Sequence, residues 1–173
     1  MVMGFGYIVV QRLMTFINAP FRNTDMIWIV LPLMITLIAV ELYFARYKDE
    51  KLGWNTAMSN TLVLVFVSLN LFQYVFTRTK SFTLAISSIG FYIALGVLAL
   101  GIFLFILEFF HLIPDFIAMT ISAHLPINIT AYTAIVMVYN QIALDWATIV
   151  AWAIMITLLG TVFFLIKKLV PGK

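Results

Sequence analysis

The sequence predicts an all-α integral membrane protein, a polytopic helical bundle with four transmembrane helices or, as an alternative, five. Its residues are 64% hydrophobic and only 10% charged, whereas soluble domains carry about 25% charged residues. The apolar residues form long runs, and a helical run of about 18 or more residues can cross a hydrocarbon core of roughly 30 Å. The short alternating segments of an outer-membrane barrel are not seen.

Residues 1–24 are predicted to form an N-terminal interfacial segment. Gln11 and Arg12 interrupt an otherwise apolar stretch, which makes it a poor span. An apolar stripe would follow one flank of a helix here: Val9, Leu13, Phe16 and Ile17. Such a stripe is typical of a helix lying in the membrane interface. The alternative is a tail that packs on the first span.

Four apolar stretches are predicted to be the spans: 26–44, 54–76, 82–110 and 144–166. The third would be about 43 Å long as a helix, longer than the core, so it tilts or begins with an interfacial turn. Residues 111–141 stay open as a re-entrant, interfacial or additional spanning segment, because prolines interrupt their apolar pattern. The chain, 1–173, reads as a single integral membrane domain.

Lysine and arginine in short loops mark the cytoplasmic side of a membrane protein. With four spans, seven basic residues fall on one side and three on the other, whereas a fifth span gives four against six. The four-span count has the stronger bias. It predicts a multi-pass protein of the cell membrane with both termini in the cytoplasm.

Polar residues recur at helical spacing along the second span: Asn55, Ser59, Asn70 and Gln73. We expect this shared face to point into the bundle, because amides that face lipid are costly. Its interpretation is hydrogen bonding between packed helices. The alternative is the lining of a polar path.

Small residues form two stripes that allow another helix to approach closely. They lie in the third and last spans: Gly90, Ala94 and Gly101, then Ala143, Ala147 and Ala151. We expect these six residues to mediate helix packing, including contacts with another copy or another subunit.

Glu108, His111 and Asp115 follow spacings of three and four, which would place them on one helix face. A carboxylate and an imidazole so placed can hold a metal or relay a proton, and His124 would join them across the turn. However, Pro114 interrupts this helix, and a polar rim at the membrane surface explains the same residues.

Two further acidic residues have simpler interpretations. Glu41 is expected to pair with Arg46 or Lys48 at the end of the first span, since charged side chains near span ends reach the interface. Asp145 precedes the last span, where a carboxylate stabilises a helix N-terminus.

The sequence contains no cysteine, phosphate-binding loop, Gly-x-Ser-x-Gly or His-Glu-x-x-His motif. It therefore favours a small non-catalytic membrane subunit that self-associates or docks into a larger membrane complex. The expected partners are the lipid bilayer and other membrane protein subunits, without nucleic acid or a cofactor. The alternatives are an oligomeric channel or transporter subunit and a membrane metalloenzyme.

Overall fold

The computed structural model describes residues 4–49 and 53–171 of the chain. Within these ranges the chain folds into helices without any strand. The helices are α1 Phe5–Arg22, α2 Thr24–Arg46, α3 Trp54–Thr79, α4 Phe82–Ile86, α5 Ile89–Phe109, α6 Asp115–Ile121, α7 His124–Tyr139 and α8 Trp146–Leu169.

Four of these helices, α2, α3, α5 and α8, are long and apolar enough to cross a membrane. They contain 23, 26, 21 and 24 residues, respectively. This confirms the predicted helical membrane bundle. The predicted third stretch divides into α4 and α5, because the Ser88 side chain accepts a hydrogen bond from the Phe91 amide and begins a new helix.

Residues 111–141 form α6 and α7, two helices that meet at a bend of 41° and together are long and apolar enough for one broken span. Thirteen of the sixteen residues of α7 are buried, and α7 contacts α1, α2, α3, α5 and α8. It is therefore the central helix of the bundle. Pro126 lies in its first turn, where the missing N–H interrupts no helical hydrogen bond.

Helix α7 connects the two ends of the bundle. At its start, the His124 ring lies 5.8 Å from the ring of Phe44, at the end where α2 finishes and α3 begins. At its finish, Tyr139 stacks on Tyr74 at 3.8 Å between ring centroids, near the end of α3. We call these ends of the bundle the α2–α3 end and the α1–α2 end.

Two ion pairs give the direction of α8. Asp145, just before α8, pairs with Arg12 of α1 at 2.9 Å, whereas Lys167, near its finish, pairs with Glu41 of α2 at 3.0 Å. Helix α8 thus starts at the α1–α2 end and finishes at the α2–α3 end, where Arg46 donates a hydrogen bond to the Pro171 carbonyl at 2.7 Å.

These contacts correct two predictions. The four-span assignment placed Lys167 on the same side as Arg12, but α7 returns the chain across the bundle and puts them at opposite ends. Glu41 was expected to pair with Arg46 or Lys48, and it pairs with Lys167 instead. Both errors have one cause, since the course of residues 111–141 decides which basic residues lie beside α2.

Asp145 stabilises the start of α8, as predicted. Its carboxylate accepts a hydrogen bond from the Thr148 amide at 2.7 Å and forms the ion pair with Arg12. Burial acts to raise the pKa of Asp145, but the hydrogen bonds from Arg12 and Thr148 outweigh it and lower the pKa to about 2.

Helix α1 packs on the bundle mainly against α8 and α2. Its residues Val9, Phe16 and Ala19 are buried, and the Tyr132 hydroxyl of α7 donates a hydrogen bond to the Phe16 carbonyl. The apolar stripe predicted for this segment thus packs, in part, on the protein. Its position relative to a membrane interface stays a prediction.

Candidate functional site

The polar residues predicted to share one side of α3 do share it. Gln73 lies eighteen positions after Asn55, which is five helical turns, so these two side chains leave the helix in the same direction. Ser59 and Asn70 lie on the same side, and all four are exposed. The face therefore points away from the bundle, and the expected inward direction is wrong.

The opposite side of α3 supplies the packing surface. Leu64 and Leu71 are fully buried there, and Gly101 of α5 approaches Leu64 so closely that an added Cβ would lie 3.0 Å from the Leu64 Cβ. Burying aliphatic side chains in this tight contact orients α3. The Asn70 side is thereby left outside.

We call the outward surface of α3 the amide face. It consists of the four polar residues and the apolar residues between them: Asn55, Ser59, Phe66, Leu69, Asn70 and Gln73. Phe66 and Leu69 are 63% and 54% exposed, so the face presents carboxamides set among free apolar side chains.

Two carboxamides of the amide face, both in the middle part of α3, lack hydrogen-bond partners. The midpoint of α3 falls near residues 66–67, which places Asn70 about 5 Å and Gln73 about 10 Å from it along the helix axis. For an α3 centred in a membrane, both distances would lie inside the half-thickness of about 15 Å of the hydrocarbon core. Neither carboxamide bonds to any residue within 4–49 or 53–171.

Both small-residue stripes are used mainly inside the chain. An added Cβ at Gly90 would lie 3.0 Å from Val75, and one at Gly101 would meet α3 at the same distance. Ala94, Ala147 and Ala151 are also buried, whereas Ala143 is exposed. Five of the six predicted packing residues thus let helices of one chain approach each other and are covered by that chain.

Glu108 occupies a polar cluster inside the bundle at the α2–α3 end. It is 1% exposed, and it accepts hydrogen bonds from the hydroxyls of Thr61, at 3.2 Å, and Ser122. The Asn60 amide donates to the Ser122 carbonyl at 2.7 Å. These bonds join α3 and α5 to the bend between α6 and α7, so the cluster fixes where α7 begins.

Sequence reasoning assigned no role to Asn60, Thr61 or Ser122. Asn60 and Thr61 lie about one helical turn before Leu64 on the buried side of α3, and that spacing was the available signal. Ser122 lies in the bend, and no local pattern connects it with Glu108.

The proposed metal or proton site does not assemble. Helix α5 ends at Phe109, and His111 adopts a left-handed backbone conformation with φ 51°. His111 and Asp115 therefore do not share a helix face with Glu108. The His111 ring packs on Trp54 at 4.1 Å, Asp115 is exposed in the first turn of α6, and His124 lies beside Phe44. Among the described residues, no three acidic or histidine side chains could hold a metal ion.

No family model, curated protein or solved structure matches this chain. The function is therefore inferred from its own residues.

Proposed function

We propose that this protein is a small integral membrane subunit that self-associates through the amide face of α3. The observation that carries the proposal is the outward position of Asn70 and Gln73, whose carboxamides have no partner in the described chain. Burying an amide in an apolar medium without a hydrogen bond costs about 4–8 kcal/mol relative to water. A second α3 offsets part of this penalty, by about 1 kcal/mol for each hydrogen-bonded pair, when its amides pair with these.

A second copy of the same chain fits this face because both copies insert in the same direction. A two-fold axis along the membrane normal places Asn70 at the depth of Asn70 in the other copy, and likewise for Gln73. A carboxamide both donates and accepts hydrogen bonds, so each residue can pair with its own equivalent. Phe66 and Leu69, both exposed, would pack around these pairs.

The test compares wild type with the variant N70L/Q73L in lipid bilayers. A defined oligomer that dissociates in the variant is expected. A wild-type chain that stays monomeric at high density in the bilayer would contradict self-association. A different membrane protein that co-purifies with wild type but not with the variant would assign the same face to a foreign partner.

A channel or transporter subunit is the second candidate, and the direction of the amide face favours it. In a ring of several copies, an outward polar face that extends over five turns would line the centre. Ion flux through liposomes that contain the wild-type oligomer, lost in N70L/Q73L, would support this function. An oligomer without flux would contradict the channel function and leave only the assembly function.

We also propose that the α2–α3 end faces the cytoplasm in an arrangement of five spans. Four basic residues lie at that end: Arg46, Lys48, Lys167 and Lys168. Lys51 and Lys173 adjoin them in the sequence, which gives six basic residues against four at the other end. This replaces the expectation that both termini are cytoplasmic, which depended on four spans.

Because the chain has no cysteine, single substitutions report sidedness directly. In intact cells, a membrane-impermeant maleimide should label Lys80→Cys and spare Lys168→Cys. The reverse labelling would invert the orientation. Labelling of neither position would restore the four-span arrangement, which places both in the cytoplasm.

A further inference from the structure

A cavity of about 340 Å³ lies at the α2–α3 end of the bundle. Residues from α2, the segment after it, the bend between α6 and α7, and α8 meet there. Its polar lining residues are Glu41, Lys48, His124 and Lys167, and Phe44 and Met119 form apolar walls. The cavity is separate from the amide face, whose residues do not line it.

His124 lines this cavity and carries an unpartnered nitrogen. The residue is 9% exposed, and its Nε2 atom is buried without a hydrogen bond to any described residue. Buried polar groups of native proteins almost always have a partner, and those that do not often mark a missing ligand, ion or water. A hydrogen-bond acceptor of a ligand in the cavity would supply the missing partner if it reached this buried nitrogen.

Two ammonium groups make the cavity favourable for an anion. Lys167 pairs with Glu41 at 3.0 Å, which neutralises that carboxylate and leaves other N–H donors of Lys167 free. Lys48 forms no ion pair within the described ranges. The lining thus carries two positive charges against one negative charge.

The start of α7 adds backbone donors at the same place. The helix begins at His124, and Ala123, the residue before it, provides no side-chain cap. In this first turn the His124 and Leu125 amides have no partner among the described residues. Pro126 has no N–H, whereas the Ile127 amide bonds to the Ala123 carbonyl at 3.3 Å. The helix dipole favours an anion there. Helix N-termini with such free amides commonly bind phosphate.

We propose that this cavity binds the phosphate group of an anionic membrane phospholipid. Lysine, imidazole N–H and helix amides are donors that suit a phosphate oxygen. The cavity lies where the spanning helices α2 and α8 end, which is the depth of lipid headgroups. Phe44 and Met119 would contact the glycerol and the first acyl carbons, a feature that free phosphate would not use.

The test measures the binding of phosphatidylglycerol to the purified full chain by native mass spectrometry. Phosphatidylcholine with the same acyl chains serves as the zwitterionic comparison. We expect one phosphatidylglycerol molecule per chain to bind at least about fivefold more tightly than phosphatidylcholine, since a lysine near the membrane surface contributes about 1 kcal/mol towards an anionic lipid.

Two variants probe the cavity, and a third is the matched control. Lys48→Gln should reduce phosphatidylglycerol binding about fivefold, and His124→Phe should reduce it while filling the space of the ring. Lys168→Gln removes the same charge beside Lys167 but outside the cavity lining, and should change nothing. Lys48 is exposed, so its variant stays interpretable if His124→Phe fails to fold.

Inorganic phosphate distinguishes the two sources of the anion. We expect millimolar phosphate to leave the bound lipid in place. Complete displacement of the lipid by phosphate would overturn the lipid assignment. Equal binding of phosphatidylglycerol to wild type, Lys48→Gln and His124→Phe would overturn the site itself.

Discussion

Replacing Asn70 and Gln73 together by leucine removes both unpaired carboxamides from α3 while keeping its length and its packing on α5. Neither side chain makes a hydrogen bond within the described chain, so the folded monomer loses no internal bond. Leucine also matches lipid better than an amide does. The substitution should therefore leave the monomer folded and act on association.

The expected magnitude follows from the two pairs that a two-fold dimer would form. A hydrogen bond between polar side chains of neighbouring membrane helices contributes about 1 kcal/mol. Losing two such bonds weakens the dimer by about 2 kcal/mol, which is about a 30-fold increase in its dissociation constant. A single variant should account for about fivefold.

Energy transfer between labelled copies in lipid vesicles, measured over a range of protein-to-lipid ratios, gives this dissociation constant. Asn55→Leu is the matched control, because it makes the same chemical change on the same face. It lies at the second residue of α3, where interfacial water can bond the amide, and should change the constant by less than about twofold. A double variant that associates as tightly as wild type would refute the reasoning.

Three further predictions concern the fold. Gly101→Leu forces a side chain into the contact with α3 and should destabilise the monomer by about 1–3 kcal/mol, which detergent denaturation would measure. An effect on the oligomeric mass alone would contradict the internal role of this residue. Glu108→Leu leaves the buried Ser122 hydroxyl without its acceptor, whereas the Thr61 hydroxyl keeps the Met58 carbonyl at 2.9 Å. It should lower the unfolding free energy by about 1–3 kcal/mol, with Glu108→Gln closer to wild type; equal loss in both variants would argue against the hydrogen bonds. The low folded-state pKa of Asp145 means that its ion pair with Arg12 stabilises the fold above pH about 4, and this contribution is lost as the pH falls towards about 2. Because both side chains are partly solvated, we expect the ion pair to contribute less than about 1 kcal/mol to the free energy of unfolding. Acid denaturation of Asp145→Asn should lack this contribution, and an acid profile identical to that of wild type would show that the ion pair does not stabilise the fold.

The periodicity of α3 identified which residues share a face but not where that face points. In a soluble helix the apolar side is the buried one, whereas in lipid the outside is as apolar as the core. Asn70 was therefore expected inside the bundle only because exposing an amide to lipid costs free energy. The deciding contact is the close approach of Gly101 to Leu64, which depends on the pairing of two spans.

The course of residues 111–141 was not predictable for a related reason. Helix α7 is buried around most of its circumference, so it has no amphipathic stripe that would reveal a helix on the surface of a bundle. Its sixteen residues make it about 24 Å long, short for an isolated span. Only together with α6, across the bend, does α7 become long enough for a span.

Long-range ion pairs explain the remaining differences. Lys167 and Glu41 are far apart in the sequence, and their contact requires α8 to run parallel to α2. The capping role of Asp145 was predicted because it is local, whereas its pairing with Arg12 was not. The separation of His111 from Glu108 likewise depends on the left-handed turn that follows α5.

Cross-linking through Leu69→Cys in native membranes is the most direct test of self-association through α3. Leu69 lies on the amide face next to Asn70, and the chain supplies no other cysteine. Ile35→Cys is the control, because Ile35 lies near the middle of α2 with similar exposure, 58% against 54%. We expect an oxidant to convert Leu69→Cys to a disulfide-linked dimer, since a two-fold interface brings the two thiols within bonding distance, and to leave Ile35→Cys monomeric. Monomer at Leu69→Cys, or equal cross-linking at both positions, would contradict association through this face.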